Sequence, residues 1–272
     1  VTQQNPYMPM AARLEEVIDE TPTIKTLVLR PDEPIPFKSG QFMQLTYPGI
    51  GEAPFTPSSN PREPERMEIT ILKTGKVTDI LHEAKPGETL GLRGPFGKGY
   101  PLDKLYGNEV LLVGGGVGLA PLRALIYALF NEIDKFKRVT IKYGARSPEE
   151  LLYRRQFEDW NKTQNTTFAE TVDVASDGWK GHVGVVTTLL DGMDIDVEHA
   201  YVVSCGPPIM LKFVTQKCLD LKFKPAQIYL SMNRKMSCGV GICGRCNIGP
   251  YYLCKDGPDM CYEEIMSYDN VF

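Results

Sequence analysis

The chain has 272 residues, 42% of them hydrophobic and 24% charged, with a formal net charge of −4 at pH 7. The length allows two domains and a small third, and the composition is that of a soluble globular protein. The mild negative charge argues against nucleic acid or an anionic membrane as partner, and no apolar run approaches the roughly 20 residues that span a bilayer. The opening Val1-Thr-Gln-Gln-Asn-Pro6 lacks the charged and apolar regions of a signal peptide. Together with unpaired cysteines at 205, 218 and 261 this fits a reducing cytoplasm. No internal repeat or low-complexity tract interrupts the chain.

From Ala11 to about Asp103 the pattern is one of short strands: Arg13–Ile18, Thr23–Leu29, Gln41–Tyr47, Arg66–Leu72 and Thr89–Leu92. Several short strands at near-regular spacing predict a β-barrel or sandwich. One helix, Val77–Ala84, interrupts them and stops at Pro86-Gly87. Two loops stand out. Ala53-Pro54-Phe55-Thr56-Pro57-Ser58-Ser59-Asn60-Pro61 joins an aromatic ring to hydroxyls on a stiff backbone. It suits a flat, amphipathic heteroaromatic ligand, or it is an ordinary Pro/Ser turn. Lys73-Thr74-Gly75-Lys76-Val77-Thr78 leads into the helix; it is either a diphosphate cradle at a helix N-terminus or a capped helix start. The stretch Leu92-Arg-Gly-Pro-Phe-Gly-Lys-Gly-Tyr100 reads mostly as a tight turn closing the β region.

At Glu109 the period changes. Val110–Val113 is a continuous apolar run, as in a buried parallel strand, followed at once by Gly114-Gly-Gly-Val-Gly-Leu-Ala-Pro121 and a helical stretch, Leu122–Phe130. Strand, glycine loop and helix in that order make a phosphate site, because the backbone can approach the anion and the helix N-terminus supplies donors. It is neither a Rossmann fingerprint, since Leu119 stands where a glycine is required, nor a P-loop. The alternation continues with a strand at Arg138–Tyr143 and a helix from Ser147 through Leu151, Phe157 and Trp160. A strand at Thr166–Val172 and a short helix at Val183–Leu190 come next. A strand at Ala200–Ser204, a helix at Ile209–Leu221 and a strand at Ala226–Leu230 complete the region. Ligands of such sheets bind beyond the carboxyl ends of the strands, where Gly114, Gly144, Arg146, Cys205 and Gly206 fall. His82 and His182 read as structural.

Four of the seven cysteines lie between 238 and 254, spaced C-x4-C-x2-C-x7-C: Cys238, Cys243, Cys246 and Cys254. The first three reproduce the plant-type iron–sulfur spacing. Gly239, Gly241 and Gly244 let the backbone wrap tightly and turn its N–H groups toward an anionic cluster. Zinc is the weaker alternative, since only one short C-x2-C knuckle is present. The four-cysteine, ferredoxin-like spacing favours [2Fe–2S] over [4Fe–4S]. Cys261 is an alternative fourth ligand to Cys254.

Taken together these motifs resemble the ferredoxin–NADP reductase superfamily. They are most similar to the branch with a C-terminal [2Fe–2S] domain. That branch includes sulfhydrogenase gamma subunits, the dihydroorotate dehydrogenase electron-transfer subunit and the corresponding subunit of anaerobic sulfite reductase. The resemblance implies an N-terminal antiparallel β-barrel flavin domain (1–104), a central α/β parallel-sheet nucleotide domain (105–231) and a small C-terminal iron–sulfur domain (232–272). It implies FAD held by Pro54, Phe55 and Thr56, with Phe55 flanking the isoalloxazine and Thr56 near N5, and by Gly75, Lys76, Val77 and Thr78. The family's arginine of the first motif is Ala53 here, leaving Lys76 or Arg66 to neutralise the diphosphate. Gly115, Gly116, Val117, Gly118 and Pro121 match the dinucleotide loop, and Cys205-Gly206-Pro207-Pro208 the nicotinamide-side motif. The cluster ligands are then Cys238, Cys243, Cys246 and Cys254.

The implied function is that of a cytoplasmic electron-transfer subunit. Electrons pass between NAD(H) or NADP(H), FAD and a [2Fe–2S] cluster, to or from the redox partner subunits of an anaerobic enzyme complex of hydrogenase, sulfite reductase or heterodisulfide type. A flavin joins a two-electron hydride donor to a one-electron acceptor, so no general base is needed. The alternatives are a free-standing NAD(P)H:acceptor reductase and a zinc-stabilised adaptor without redox chemistry. Arg146, Arg154 and Arg155 are candidates for a 2′-phosphate contact.

Overall fold

The computed structural model describes residues 5–269 and 271–272; the first four residues of the opening read above as leaderless lie outside the described residues. Six strands build the first sheet: β1 (Met10–Thr21), β2 (Ile24–Pro31), β3 (Phe42–Tyr47), β4 (Gly51–Phe55), β5 (Met67–Leu72) and β6 (Thr89–Phe96). All pairings are antiparallel, in the order β4-β3-β6-β1-β2-β5. The expected closed barrel is not seen: β4 and β5 remain edges with no ladder between them among the described residues. Pro54 lies in β4, and a residue without an N–H suits an edge strand. Helix α1 (Lys76–Glu83) packs across β3, β4 and β5, and its Val77 and Leu81 join the sheet's core with Leu27, Met43, Leu45 and Ile69.

The second layer starts with a short helix, α2 (Leu102–Leu105), and strand β7 (Glu109–Gly115). Then come α3 (Leu119–Phe130), β8 (Arg138–Ala145), α4 (Phe157–Lys162), β9 (Thr166–Val172), β10 (His182–Val183), β11 (Ala200–Cys205), α5 (Pro208–Asp220) and β12 (Ile228–Ser231). These strands are parallel, in the order β10-β9-β8-β7-β11-β12. The central runs of β7 and β11 are buried end to end, which is why they read as continuous apolar stretches.

The C-terminal segment contributes a small hairpin, β13 (Asn247–Ile248) and β14 (Tyr251–Tyr252), then α6 (Leu253–Asp256), β15 (Asp259–Cys261) and α7 (Tyr262–Ile265). It does not stand apart. β15 pairs antiparallel with β12 and extends the nucleotide sheet. Met236, Cys246, Ile248, Leu253 and Cys254 share one apolar core with Val113, Val202 and Leu211.

Four elements differ from their sequence expectation. The Ala53–Pro61 loop begins as strand β4, and the stretch from Leu92 continues β6 to Phe96 instead of turning, because Phe42 and Gln44 of β3 pair with Phe96 and Arg93. The helix expected from Ser147 is broken into 3₁₀ turns at Pro148–Glu150 and Arg154–Gln156 before α4. Leu151, Leu152 and Tyr153 are all buried in succession, which a helix would splay around its axis; Tyr153 instead takes a left-handed φ of 54°. Val183 belongs to strand β10, and only Val186–Leu190 coils, as a 3₁₀ turn.

Candidate functional site

The dinucleotide-type loop forms where β7 ends. Gly116–Gly118 make a 3₁₀ turn leading directly into α3, with Pro121 in its first helical turn. Register places the other strand ends beside it: Gly144 of β8 lies opposite Gly115, and Cys205 of β11 opposite Gly114. Gly118 is required by contact, because a Cβ there would stand 2.2 Å from the Cys205 carbonyl oxygen. Gly206 and Gly115 both pack against the sulfur of Met210. Pro207 is the N-cap of α5. Cys205 is 8% exposed, and burial pushes its thiol up to about 12, so it is neutral near pH 7. Tyr143, absent from the sequence candidates, steadies the loop: its hydroxyl donates to the Gly116 carbonyl at 3.2 Å and accepts from the Leu152 N–H at 3.1 Å.

The flavin-type residues gather around β4 and α1. Pro54 and Phe55 pair with Gln44 and Met43 of β3, and Thr56 follows immediately. At α1 the capped-start reading describes Thr78 locally. Its hydroxyl accepts from the N–H groups of Thr74 and Gly75, each at 2.9 Å, and donates to the Gly75 carbonyl at 2.8 Å. Lys76, at the first helical position, is exposed, whereas Arg66 is bound to Glu68. Of the two substitutes considered for the missing arginine, Lys76 alone keeps its charge outside that carboxylate network.

Ser58, in the same loop, has a structural task. Its hydroxyl meets Thr70 Oγ1 at 3.0 Å, which in turn meets the Tyr153 hydroxyl at 2.5 Å, joining the two layers. Arg123 of α3 completes that seam with an ion pair to Glu68 and a stack on the Tyr153 ring at 4.5 Å. Burial raises the Glu68 pKa, but Arg123 and Arg66 outweigh it and hold the carboxyl below its usual value. Arg155 is committed to Glu20 at 2.8 and 2.9 Å, while Arg146 and Arg154 are exposed. His82 Nε2 lies 2.9 Å from the Ile71 carbonyl oxygen and His182 Nε2 lies 2.9 Å from Thr188 Oγ1, each a structural contact.

The cysteine segment wraps as its glycines allow: Gly239, Gly241 and Gly244 have φ of 79°, 76° and 70°. Backbone N–H groups point at sulfur, Gly241 N to Cys254 Sγ at 3.1 Å and Ile242 N to Cys238 Sγ at 3.4 Å. Among the described residues no three His, Cys, Asp or Glu side chains are arranged around a single metal position. The sulfurs approach in pairs instead, Cys246 with Cys254 at 3.5 Å, and Cys243 beside Cys238. Burial opposes ionisation of Cys238, yet the N–H groups of Cys243, Val240 and Ile242 bring its thiol down to about 6. Burial and the neighbouring Cys246 push Cys254 up to about 12. Close sulfur pairs with backbone N–H groups aimed at them fit a cationic iron core that accepts four sulfurs. Cys261 lies elsewhere, on β15, with its sulfur 3.8 and 3.7 Å from the carbonyl oxygens of Pro225 and Ala226.

A second buried polar group was not read from the sequence. Asp259 opens β15 and lies buried beside Tyr100, Ser231 and Cys205. Burial raises its carboxyl to about 7, against the lowering influence of Ser231 and Tyr100. Neither carboxyl oxygen, nor the hydroxyls of Tyr100 and Ser39, has a hydrogen bond of normal geometry. These three residues line a cavity of about 610 Å³ between the layers.

Residues 12–100 match the oxidoreductase FAD-binding domain, 112–216 the oxidoreductase NAD-binding domain, and 233–266 the iron–sulfur cluster binding domain of dihydroorotate dehydrogenase B. The chain is 35% identical to sulfhydrogenase 2 subunit gamma of Pyrococcus furiosus, over 97% of this chain and 98% of that one. It is 37% identical to a probable dihydroorotate dehydrogenase B (NAD(+)) electron transfer subunit of Thermococcus kodakarensis, over 90% and 93%. Among solved structures, an NADH-dependent reduced ferredoxin-NADP oxidoreductase, described in connection with flavin-based electron bifurcation, superposes with a TM-score of 0.74 at 26% identity, covering 94% and 91%. The fold is shared with a ferredoxin NADP+ reductase from Neisseria gonorrhoeae, TM-score 0.71. No described helix is long and apolar enough to cross a membrane.

Proposed function

The chain belongs to the family of FAD-, NAD- and iron–sulfur-binding electron-transfer subunits that includes the sulfhydrogenase gamma subunits, and on that premise we propose that it moves electrons between a nicotinamide dinucleotide and a partner oxidoreductase subunit. The observation that carries this reading is the meeting of three motifs in one chain: the glycine loop against Cys205, the β4–α1 corner, and the paired cysteines. They correspond to three functional segments, 1–104, 105–231 and 232–272.

The flavin, when bound, supplies the exchange between hydride and single-electron chemistry. The protein's own residues position and exclude. Gly116–Gly118 and the start of α3 offer backbone donors and a helix dipole to a diphosphate. Cys205, Gly206 and Pro207 form the adjoining wall, and Cys205 stays a neutral thiol that does not compete as a nucleophile. Phe55 and Thr56 present a ring and a hydroxyl where β4 ends, and Lys76 offers a charge at the first position of α1. Cys238, Cys243, Cys246 and Cys254 would hold a [2Fe–2S] cluster, which would supply the one-electron station. None of these side chains is assigned the role of general base, and hydride transfer does not require one.

The partner is a catalytic subunit of an anaerobic complex in the cytoplasm. The test is an ultraviolet–visible spectrum of anaerobically purified protein before and after NADH and NADPH. A flavin band and a broad iron–sulfur shoulder, both bleached by one nucleotide, are expected. A cluster spectrum without flavin would mean that the Ala53 departure removes the hydride station; colourless protein with bound zinc would overturn the redox reading.

A further inference from the structure

The strands β4, β3 and β6 separate two interiors. Side chains alternate faces along a strand. Met43 and Leu45 of β3 enter the core that Phe55 and Val77 pack against. Phe42 joins the core containing Met236, Cys246 and Cys254, and Gln44 donates from Nε2 to the Met236 carbonyl. In β4, Phe55 is opposite Met43 and Ala53 opposite Leu45, whereas Pro54 is opposite Gln44 and Glu52 opposite Thr46. The strand with the flavin motif thus shows Phe55 to one face and Glu52 to the other, and the cysteine segment sits on the Glu52 face.

Arg93 of β6 is the centre of that face. It pairs across the ladder with Gln44. Its Nε and Nη2 donate to the Glu52 carboxylate at 2.8 and 2.5 Å, and its Nη1 donates to the Pro6 carbonyl at 2.7 Å and the Cys238 carbonyl at 3.3 Å. Its guanidinium lies 5.9 Å from the Tyr7 ring centroid and 5.4 Å from that of Phe96. Phe96 closes the contact: a Cβ on Gly239 would stand 2.7 Å from its ring. The Arg93 side chain is 4% exposed, so its charge is little screened by water.

We infer that Arg93 is a positioning residue that seats the cluster loop on the back of the flavin-motif strand, and that the Arg93–Glu52 pair sets the charge, and so the reduction potential, beside Cys238. This rests on the reading of Cys238 as a cluster ligand. Reduction adds one negative charge to an already anionic group. A cation held against a ligand residue favours that step, a carboxylate opposes it, and cluster potentials respond to net charge and hydrogen bonding. A planar fork is needed to hold a carboxylate and two carbonyls at once, which a lysine ammonium does not reproduce.

The experiment uses the whole chain, purified anaerobically, in a potentiometric titration followed by electron paramagnetic resonance of the reduced cluster. Arg93→Gln should lower the midpoint potential and Glu52→Gln should raise it. Arg93→Lys should keep the potential nearer the wild-type value than Arg93→Gln does, with a broadened signal. Opposite shifts are what a general loosening of the loop does not produce. Wild-type potentials in both Gln variants, or shifts of the same sign, would overturn the inference. If Arg93→Gln does not accumulate, Glu52→Gln decides alone: an upward shift supports the inference, no shift or a downward one overturns it. Absence of any cluster signal from the wild-type protein would instead remove the reading underneath.

Discussion

Glu68 and Asp259 are both carboxyl groups buried where the β layer meets the nucleotide layer, 5% and 8% exposed, and the protein treats them oppositely. Glu68 lies between Arg123 and Arg66, within a network that also holds Ser58, Thr70 and Tyr153. Its pKa is lowered despite burial. Asp259 has hydroxyls nearby but, among the described residues, no paired cation and no closed hydrogen bond, and burial lifts it to about 7. Desolvation acts on both; a buried partner charge decides the sign. One seam is a fixed lock. The other is an unpaired carboxyl at the wall of a cavity, next to Cys205, among the described residues.

The largest effect should come from unpairing the lock. Arg123→Met leaves Glu68 buried with only its half-exposed partner Arg66, and should destabilise by about 3–5 kcal/mol in denaturant unfolding. Adding Glu68→Leu to that variant should restore most of the loss, since an apolar pair of similar volume replaces a buried ion pair at little cost. If the single variant unfolds like the wild type, the two seams are not different in kind.

The second prediction concerns pH. An Asp259 carboxyl that titrates near 7 when folded and near 3.8 when unfolded binds more protons in the native state between those values. Stability therefore falls as pH rises through that window and levels off above 7. Between pH 5.5 and 7 the loss should be about 1–2 kcal/mol, and Asp259→Asn should abolish it. Parallel pH profiles for the two proteins would mean that Asp259 is solvated through the cavity.

The smallest pair sharpens the contrast. Tyr153→Phe removes a hydroxyl bonded to Thr70 and should cost about 1 kcal/mol. Tyr100→Phe removes a buried hydroxyl that closes no hydrogen bond of normal geometry among the described residues, and should leave unfolding midpoints unchanged or slightly raised. Equal losses would show that the Tyr100 hydroxyl is satisfied by water.

Much of the architecture was legible because it rests on local pattern. The apolar run of β7, the glycine turn into α3 and the strand Thr166–Val172 are short-range signals, and each element formed close to where its pattern lay. The cysteine spacing was equally readable, since Cys238 and Cys243 are brought together by four intervening residues and the positive φ of Gly239 and Gly241. The illegible parts were decided at a distance. The Leu92–Tyr100 stretch reads as a turn because it is rich in glycine and proline, yet pairing with β3 keeps it a strand as far as Phe96. Ser147-Pro148 is a good helix start, but three successive buried side chains after it override the helix.

The amino-acid sequence by itself determined which stretches could bind phosphate, stack a ring or gather four thiols, because those abilities lie in residues a few positions apart. Only the tertiary structure decided that Arg93 holds the carbonyl of Cys238, 145 residues away, that Arg123 finds Glu68 across 55, and that Asp259 is enclosed without a paired cation among the described residues. The physical reason is that burial and partnership of a charge depend on which faces meet when the sheets pack. That geometry is shared by the whole chain and is written in no single segment of it.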